Sequence, residues 1–172
     1  TNASRGIPWF ATALCLVDDT GPRVALVANQ ASGERFWALR GGGAWTGSTG
    51  DPRPLQPSGC RELSGAVVGI SGRPDGEYGW WQFRALGALA LDLCLVASGA
   101  LDGFVDCSPS AHGVWDYLAG SLICEEAGAT VVDARARPLT VLEHGARRTP
   151  VAAATPELLE DLLDRRRTTR PA

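Results

Sequence analysis

The sequence predicts an α/β protein of the layered α+β type, in which sheets are covered by helices. Residues 9–39 consist of short runs rich in Val, Leu and aromatic side chains, separated by turn compositions, which is typical of an antiparallel meander. From residue 84 onward, longer apolar runs with helical character alternate with short strand patterns. No repeat or linker divides the chain, so we expect one domain in two parts: residues 1–83 with the meander, and residues 84–172 with an α/β half.

In the first part, strands are predicted at residues 9–18, 23–30 and 34–39. Three consecutive glycines at 41–43 fit neither of the common Gly-rich phosphate-loop patterns, so we predict a hairpin turn there. They open a Gly- and Pro-rich stretch at residues 41–57, which we expect to lie on the surface. A further strand is predicted at residues 66–71, and a loop continues from it up to residue 81.

In the second part, the sequence pattern predicts three helices between short strands. Gly99 and Gly128 each come after an apolar run, and glycine suits the position just after a helix. Thr155 is the expected cap of the third helix, because Pro156 then falls in its first position. The predicted elements are a helix at 84–99, a strand at 102–106, a helix at 114–127, strands at 129–133 and 150–154, and a last helix that carries Arg165, Arg166 and Arg167 at its negative end.

Composition bounds the class of protein and its partners. The 172 residues are 45% hydrophobic and 20% charged, with a net charge of -3, which describes a soluble globular protein and argues against nucleic acid or a membrane as partner. No apolar run reaches the roughly 18 residues of a membrane span. The chain begins with Thr1 and contains no Met, so we expect that it was processed or cut from something longer.

The five cysteines predict a reducing compartment. Their number is odd, they form no C-x-x-C pair, and three of them lie inside apolar runs, so we expect free thiols and a cytoplasmic location. A zinc site built from Cys107 and His112 would need two more soft ligands, and His144 is the one other histidine in the sequence.

Two acids flank one loop in a position where α/β sheets bind ligands. Asp106 ends a predicted strand and Asp116 stands near the start of the next helix, so their spacing allows a shared site but does not establish one. The alternative for Asp116 is a helix-starting residue stabilised by the helix dipole. Asp92, inside an apolar helix pattern, predicts a buried acid satisfied by local donors. Ser71 lies in GISGR, which lacks the second glycine of a nucleophile elbow, so a serine hydrolase is disfavoured.

Four segments resemble, in order, those of the inositol monophosphatase family, the magnesium-dependent, lithium-sensitive phosphomonoesterases. The last resembles the family's W-D-x-A-[AG] motif, and the first resembles the residues directly after its D-P-[IL]-D-G-[ST] motif. The resemblance therefore runs from just after that acidic motif to the C-terminus, and it implies the C-terminal portion of the family's alternating helix/sheet layered sandwich. The segments are TNASRGIPWFA, ALVANQASGERFWALRGGGAWTG, RALGALALDLCLVASGALDGF and HGVWDYLAGSLICEEAGATVVD.

The resemblance implies roles for individual residues. Asp116 matches the Asp that completes the family's Mg²⁺ site, and Asp106 matches an acid that binds substrate hydroxyls. Gly87 and Ala88 match the small-residue edge of the substrate pocket, although Leu89 stands where the family usually has a small residue. The loop between the two acids is also longer than usual, and the region from 71 to 84 is too short for the family's helix.

The resemblance also implies a function: a Mg²⁺-dependent phosphomonoesterase acting on a small phosphorylated polyol, sugar or related metabolite, with a homodimer as its expected assembly. Inositol phosphate, histidinol phosphate, a sugar phosphate and a nucleotide phosphate all stay open as substrates. The upstream acids are absent from these 172 residues, so we expect no catalytic residue on this chain and no activity by itself. The alternative is a non-catalytic binding or regulatory module built on a truncated phosphatase scaffold.

Overall fold

The computed structural model describes residues 1–48 and 50–168, which form four layers. The first layer is an antiparallel sheet with its strands in sequence order. These strands are β1 (Ala11–Asp18), β2 (Gly21–Asn29), β3 (Arg35–Leu39), β4 (Gly43–Ser48) and β5 (Asp51–Pro54). The third layer is a mixed sheet in the order β7-β6-β8-β10-β9. Its strands are β6 (Val67–Ser71), β7 (Gln82–Arg84), β8 (Gly103–Asp106), β9 (Thr130–Asp133) and β10 (Pro150–Ala153).

Helices fill the second and fourth layers. Helices α1 (Leu89–Ala97) and α2 (Val114–Ala127) lie between the two sheets and share one apolar core with both. Helix α3 (Pro156–Thr168) packs on the other side of the second sheet. The layered α/β fold expected from the sequence is confirmed. None of the helices in the described part of the chain is long and apolar enough to cross a membrane.

The first sheet is apolar on both faces. Ala25, Val27 and Phe36 point towards the helices and are buried, as the alternation along a strand requires. On the other face, Leu14 is 59% and Leu16 64% exposed, and Val24 and Leu39 extend the same patch. Val24 is the register partner of both Leu16 and Leu39, so these side chains form one exposed apolar patch, a feature that can mark an interaction surface.

Two parts of the chain differ from the sequence prediction. The glycines after β3 form the expected turn, with Gly41 and Gly43 at positive φ, but the stretch at 41–57 then continues as the paired strands β4 and β5. Two prolines fit in β5 because it is an edge strand, where one side needs no hydrogen-bond donor.

The first helix also begins later than predicted. Residues 82–84 form the edge strand β7 beside β6, and α1 starts only at Leu89. Gly87 has φ +83, a left-handed conformation that a continuous helix cannot contain. Strands β6 and β7 both pair in the second sheet, so the change of sheet falls between β5 and β6. The division into two parts at residues 83 and 84 stays a prediction, and the end of its second part, residues 169–172, lies outside the described residues.

Helix α2 is held to the first sheet through its C-terminal turn. The carboxylate of Glu126 accepts hydrogen bonds from the amides of Gly41 (2.8 Å) and Gly43 (2.9 Å) in the β3–β4 turn. Such charge-assisted bonds are stronger than neutral ones. They fix the end of α2 that is remote from Asp116.

Helices α1 and α2 cross closely at Gly120. A Cβ added to Gly120 would lie 2.8 Å from both the Cβ and the Cδ1 of Leu93, and 3.3 Å from the carbonyl oxygen of Ala90. No side chain larger than hydrogen fits there without moving one helix. The glycine therefore sets the distance between the two helices.

We expect Gly120→Ala to destabilise the fold by roughly 1–2 kcal/mol, although alanine favours a helix by about 1 kcal/mol over glycine, because the overpacking cost is larger. Urea unfolding followed by circular dichroism measures this free energy. Gly65→Ala is the matched control, since an added Cβ at Gly65 meets nothing within 4 Å. Equal stability of the two variants would contradict the close crossing.

Candidate functional site

Asp116 lies in the first turn of α2 and faces back towards the start of the helix. Its amide donates to the carbonyl oxygen of Gly113 (2.9 Å), and the amide of Gly113 donates to Asp116 Oδ2 (3.0 Å). This reciprocal pair is what a helix-starting acid is expected to form. The side chain nevertheless stays 39% exposed, so Asp116 starts the helix and still presents carboxylate oxygen to a ligand.

A groove of about 300 Å³ opens beside Asp116. It lies between β1 and the first residues of α1 and α2, with Ala88, Leu89 and Trp115 in its walls. The amino ends of both helices thus border one space, and helix amino ends favour anions through their free amides and their dipoles. The structure brings Ala88 and Asp116, two of the site residues expected from the sequence, to this groove.

Gly87 stands directly before the groove wall and is fixed by Asn2. The side-chain amide of Asn2 donates to the carbonyl oxygens of Leu86 and Trp9, both at 2.8 Å. A Cβ on Gly87 would approach that amide to 3.4 Å and would also be strained at φ +83. Leu89, the large residue at a position where a small one was expected, is buried and lines the groove as well.

Asp106 lies at the C-terminal end of β8 and is fully buried. Its Oδ1 accepts hydrogen bonds from the amide (2.8 Å) and the hydroxyl (2.6 Å) of Ser108. Its Oδ2 has no hydrogen-bond partner among the described residues. A buried acceptor without a donor carries an energetic cost, so Oδ2 retains the capacity to accept a hydrogen bond from a ligand.

His112 lies between the two acids that the sequence singled out. Its Nε2 is 3.7 Å from Asp106 Oδ2 and 3.1 Å from Ser71 Oγ, and its Nδ1 is 3.8 Å from Asp116 Oδ2. Sequence reasoning considered His112 for zinc and Ser71 for a serine hydrolase, and it missed their contact. The signal that could have found it was strand order: Ser71 and Asp106 are paired residues at the ends of the parallel strands β6 and β8.

The described residues do not complete a metal site. Among residues 1–48 and 50–168, no group of three or more His, Cys, Asp or Glu side chains could hold a metal ion. Asp116 offers an exposed carboxylate, whereas Asp106 is buried behind His112. Mg²⁺ requires several oxygen ligands and gives up its waters reluctantly, so this donor set alone does not fit the ion.

Trp115, beside Asp116, forms the outer rim of the site. Its ring stacks on His144 at 4.8 Å between centroids, and the guanidinium of Arg147 lies 5.1 Å from the ring centre. Both residues belong to the segment that connects β9 to β10. A cation over an indole face is an attractive contact, so this segment is held against the start of α2.

Asp133 fixes the connecting segment at its base. Its buried carboxylate accepts from Nε (3.0 Å) and Nη2 (2.8 Å) of Arg137, and from the amides of Arg135 and Thr149. Burial raises the pKa of Asp133, but the hydrogen bonds from Arg137, Thr149 and Arg135 outweigh it, so the pKa lies below its ordinary value.

Asp92 is the buried acid that the sequence predicted. It lies in the first turn of α1 and accepts a hydrogen bond from Trp9 Nε1 at 3.1 Å. Burial raises the pKa of this carboxyl to about 7, against smaller lowering effects of the Trp9 hydrogen bond and of His112.

We expect Asp92 to make stability fall as pH rises from about 4 to about 7. In that window the folded protein keeps the proton that the unfolded chain has lost, so deprotonation favours unfolding. Asp92→Asn should remove this slope. The measurement is the free energy of unfolding in urea at about pH 5 and about pH 8, with the exposed Asp161→Asn as control. An identical pH dependence in wild type and Asp92→Asn would contradict it.

The comparisons with known proteins agree with this geometry. The family model described as "Inositol monophosphatase family" matches residues 2–169, so the chain belongs to the inositol monophosphatase family. It is 34% identical to a histidinol-phosphatase of Mycobacterium tuberculosis, and 30% identical to an inositol-1-monophosphatase ImpA of Mycolicibacterium smegmatis. These alignments cover 93% and 95% of this chain.

A solved structure shows the same fold. The suhB extragenic suppressor protein of Bartonella henselae matches with a TM-score of 0.82 at 26% identity, over 96% of this chain and 68% of that one. Among the curated relatives, the chain spans 62% of the histidinol-phosphatase and 61% of ImpA. The matched relatives are therefore considerably longer than this chain.

Proposed function

We propose that this chain is the part of a Mg²⁺-dependent phosphomonoesterase that contributes one metal ligand and the wall of the substrate site. The observation that carries the proposal is the exposed Asp116 carboxylate in a groove bordered by two helix amino ends. A phosphate ester brings negative charge, which the helix amino ends attract, and a magnesium ion would bind the carboxylate. The family supplies the class of reaction.

Each site residue has a proposed task. Asp116 would be one oxygen ligand of Mg²⁺, and a bound ion would supply neutralisation of phosphoryl charge and activation of a water. Gly87 and Ala88 let the substrate approach the backbone at the start of α1. Asp106 accepts a substrate hydroxyl through Oδ2, and because His112 lies 3.7 Å from that oxygen, the imidazole has to turn aside first.

The remaining ligands belong to a region that these residues do not supply. The absence of a three-ligand group from the described residues supports this proposal, as does the greater length of the relatives. The 172-residue polypeptide by itself is then inactive. The exposed outer face of the first sheet, around Leu14 and Leu16, is consistent with a larger protein that covers it.

The substrate class is a small phosphorylated polyol, sugar or related metabolite. Relatives carry the names histidinol-phosphatase, inositol-1-monophosphatase and fructose-1,6-bisphosphatase/inositol-1-monophosphatase. Leu89 takes space in the groove wall beside Ala88, which favours a substrate narrower than an inositol ring. A homodimer and a cytoplasmic location stay predictions, the first from the family and the second from five cysteines that are all free.

A fusion protein tests the proposed function. The region of the Mycobacterium tuberculosis histidinol-phosphatase that precedes its aligned part is joined before Thr1, and phosphate release is measured with histidinol phosphate, inositol 1-phosphate and fructose 1,6-bisphosphate. We expect Mg²⁺-dependent hydrolysis by the fusion and none by the 172-residue chain. Asp116→Asn should lower kcat/KM at least ~100-fold, because even supporting partners of metal ligands contribute about 10- to 100-fold.

Asp161→Asn is the matched control, an exposed acid on α3 whose loss should leave the rate unchanged. The proposal is wrong if Asp116→Asn hydrolyses the best substrate as fast as the unsubstituted fusion. A correctly folded fusion with no activity on any of the esters would instead favour the second candidate, a non-catalytic binding module.

A further inference from the structure

Arg166 of α3 is a buried cation directed at the loop that carries Asp106. Its Nε donates to the carbonyl oxygen of Asp106 (2.7 Å) and its Nη2 donates to that of Ser108 (2.7 Å). The residue is only 8% exposed. From the sequence we expected a role at the negative end of its own helix, and the structure instead directs the side chain into the second sheet.

Arg166 continues a stripe of buried leucine side chains along one face of α3. Leu158, Leu162 and Arg166 are spaced by four residues and therefore share one face of α3. The two leucines are fully buried in the core that α3 forms with the second sheet. Leu162 lies over Gly103 at the start of β8, where an added Cβ would meet Leu162 Cδ1 at 2.8 Å. The stripe thus runs along β8 to its last residue, Asp106.

Stability alone is a poor reason for a charge at this position. No carboxylate among the described residues forms a salt bridge with Arg166, so its charge is satisfied by carbonyl dipoles. Burying a charge without a counter-ion is costly, and an apolar side chain would continue the leucine stripe at lower cost. The rigid fork of arginine, in contrast, suits holding two acceptors at a fixed spacing.

Arg166 holds the backbone carbonyl groups of Asp106 and Ser108, the two residues whose mutual hydrogen bonds orient the Asp106 carboxylate. Asp106 Oδ1 is held by the amide and hydroxyl of Ser108, so the position of Ser108 decides where Oδ2 points. Further along the loop, the carbonyl oxygen of Pro109 accepts from Arg135, and His112 pairs with Arg148 through backbone hydrogen bonds. The buried Thr149 also donates to the carbonyl oxygen of Pro109 (3.2 Å). Among the arginines that hold this loop, Arg166 is the buried one, and it donates to the backbone of Asp106 itself.

We propose that Arg166 is a positioning residue that fixes the Asp106–Ser108 loop, and with it the Asp106 carboxylate, for substrate binding. The inference rests on the proposed substrate role of Asp106. Arg166 touches no substrate; it acts through the backbone of the loop. Loss of Arg166 should therefore raise KM and leave kcat nearly unchanged.

The first arm of the test uses the 172-residue chain and needs no activity. Amide exchange is measured for Ser108, whose N–H binds the Asp106 carboxylate, and for Phe104 in β8. In Arg166→Met we expect exchange at Ser108 to rise roughly 10- to 100-fold while Phe104 stays protected, since two hydrogen bonds are lost locally. Arg166→Lys keeps the charge but loses the forked guanidinium, so amide exchange at Ser108 should be as fast as in Arg166→Met.

The neighbouring exposed residue supplies the control: Arg165→Met should leave Ser108 as protected as in wild type. Unchanged Ser108 exchange in Arg166→Met overturns the proposal. A uniform rise at Ser108 and Phe104 overturns it too, because it would show a purely structural role for Arg166.

The second arm uses the active fusion and a double-mutant cycle. Arg166→Met and Asp106→Asn should each raise KM roughly 10-fold or more with little change in kcat, and the double variant should be no worse than Asp106→Asn alone. Additive effects of the two substitutions on KM would show that Arg166 does not act through Asp106. If the fusion is inactive, the proposed function fails, whereas the exchange arm still decides whether Arg166 positions the loop.

Discussion

Helices α1 and α2 pack against each other across Gly120, and their separation determines where the two helix ends that border the candidate site lie. A Cβ at Gly120 would be 2.8 Å from Leu93, so the two backbones approach as closely as glycine allows. Both sheets pack on this helix pair, and Glu126 ties the far end of α2 to the β3–β4 turn. The groove beside Asp116 exists because the first turns of the two helices are held side by side by this contact.

The two acids of the candidate site, Asp116 and Asp106, are held in position by different kinds of contact. Asp116 is fixed by its own helix turn, through reciprocal hydrogen bonds with Gly113. Asp106 depends on tertiary contacts, because its loop is held by Arg166 from α3 and its Oδ2 faces His112. Hydrogen bonds within one helix turn position Asp116, the proposed metal ligand. Asp106, the proposed hydroxyl acceptor, depends instead on Arg166, which lies 60 positions later in the chain.

The sequence predicted the parts of this protein whose signals are local. Strand alternation located β1 to β3, glycines marked the ends of α1 and α2, and Thr155 caps α3 through the amide of Leu158 as expected. Strands β4 and β5 were missed because their small residues and prolines are compatible with a turn-rich surface stretch. The burial of Asp106 and the reach of Arg166 could not be predicted, since both depend on how α3 lies along β8, which no local pattern encodes.

The proposed role of Asp116 as a ligand of a divalent metal ion is central to the function of this site. Titrating Mn²⁺, a paramagnetic substitute for Mg²⁺, into the ¹⁵N-labelled fusion that supplies the upstream region, and recording amide line broadening, tests it most directly. We expect broadening at the start of α2, around Gly113 to Tyr117, which excess Mg²⁺ reverses and which Asp116→Asn weakens by at least ~10-fold in Mn²⁺ affinity. Absence of broadening in this turn, or broadening that is unchanged in Asp116→Asn, would contradict that role.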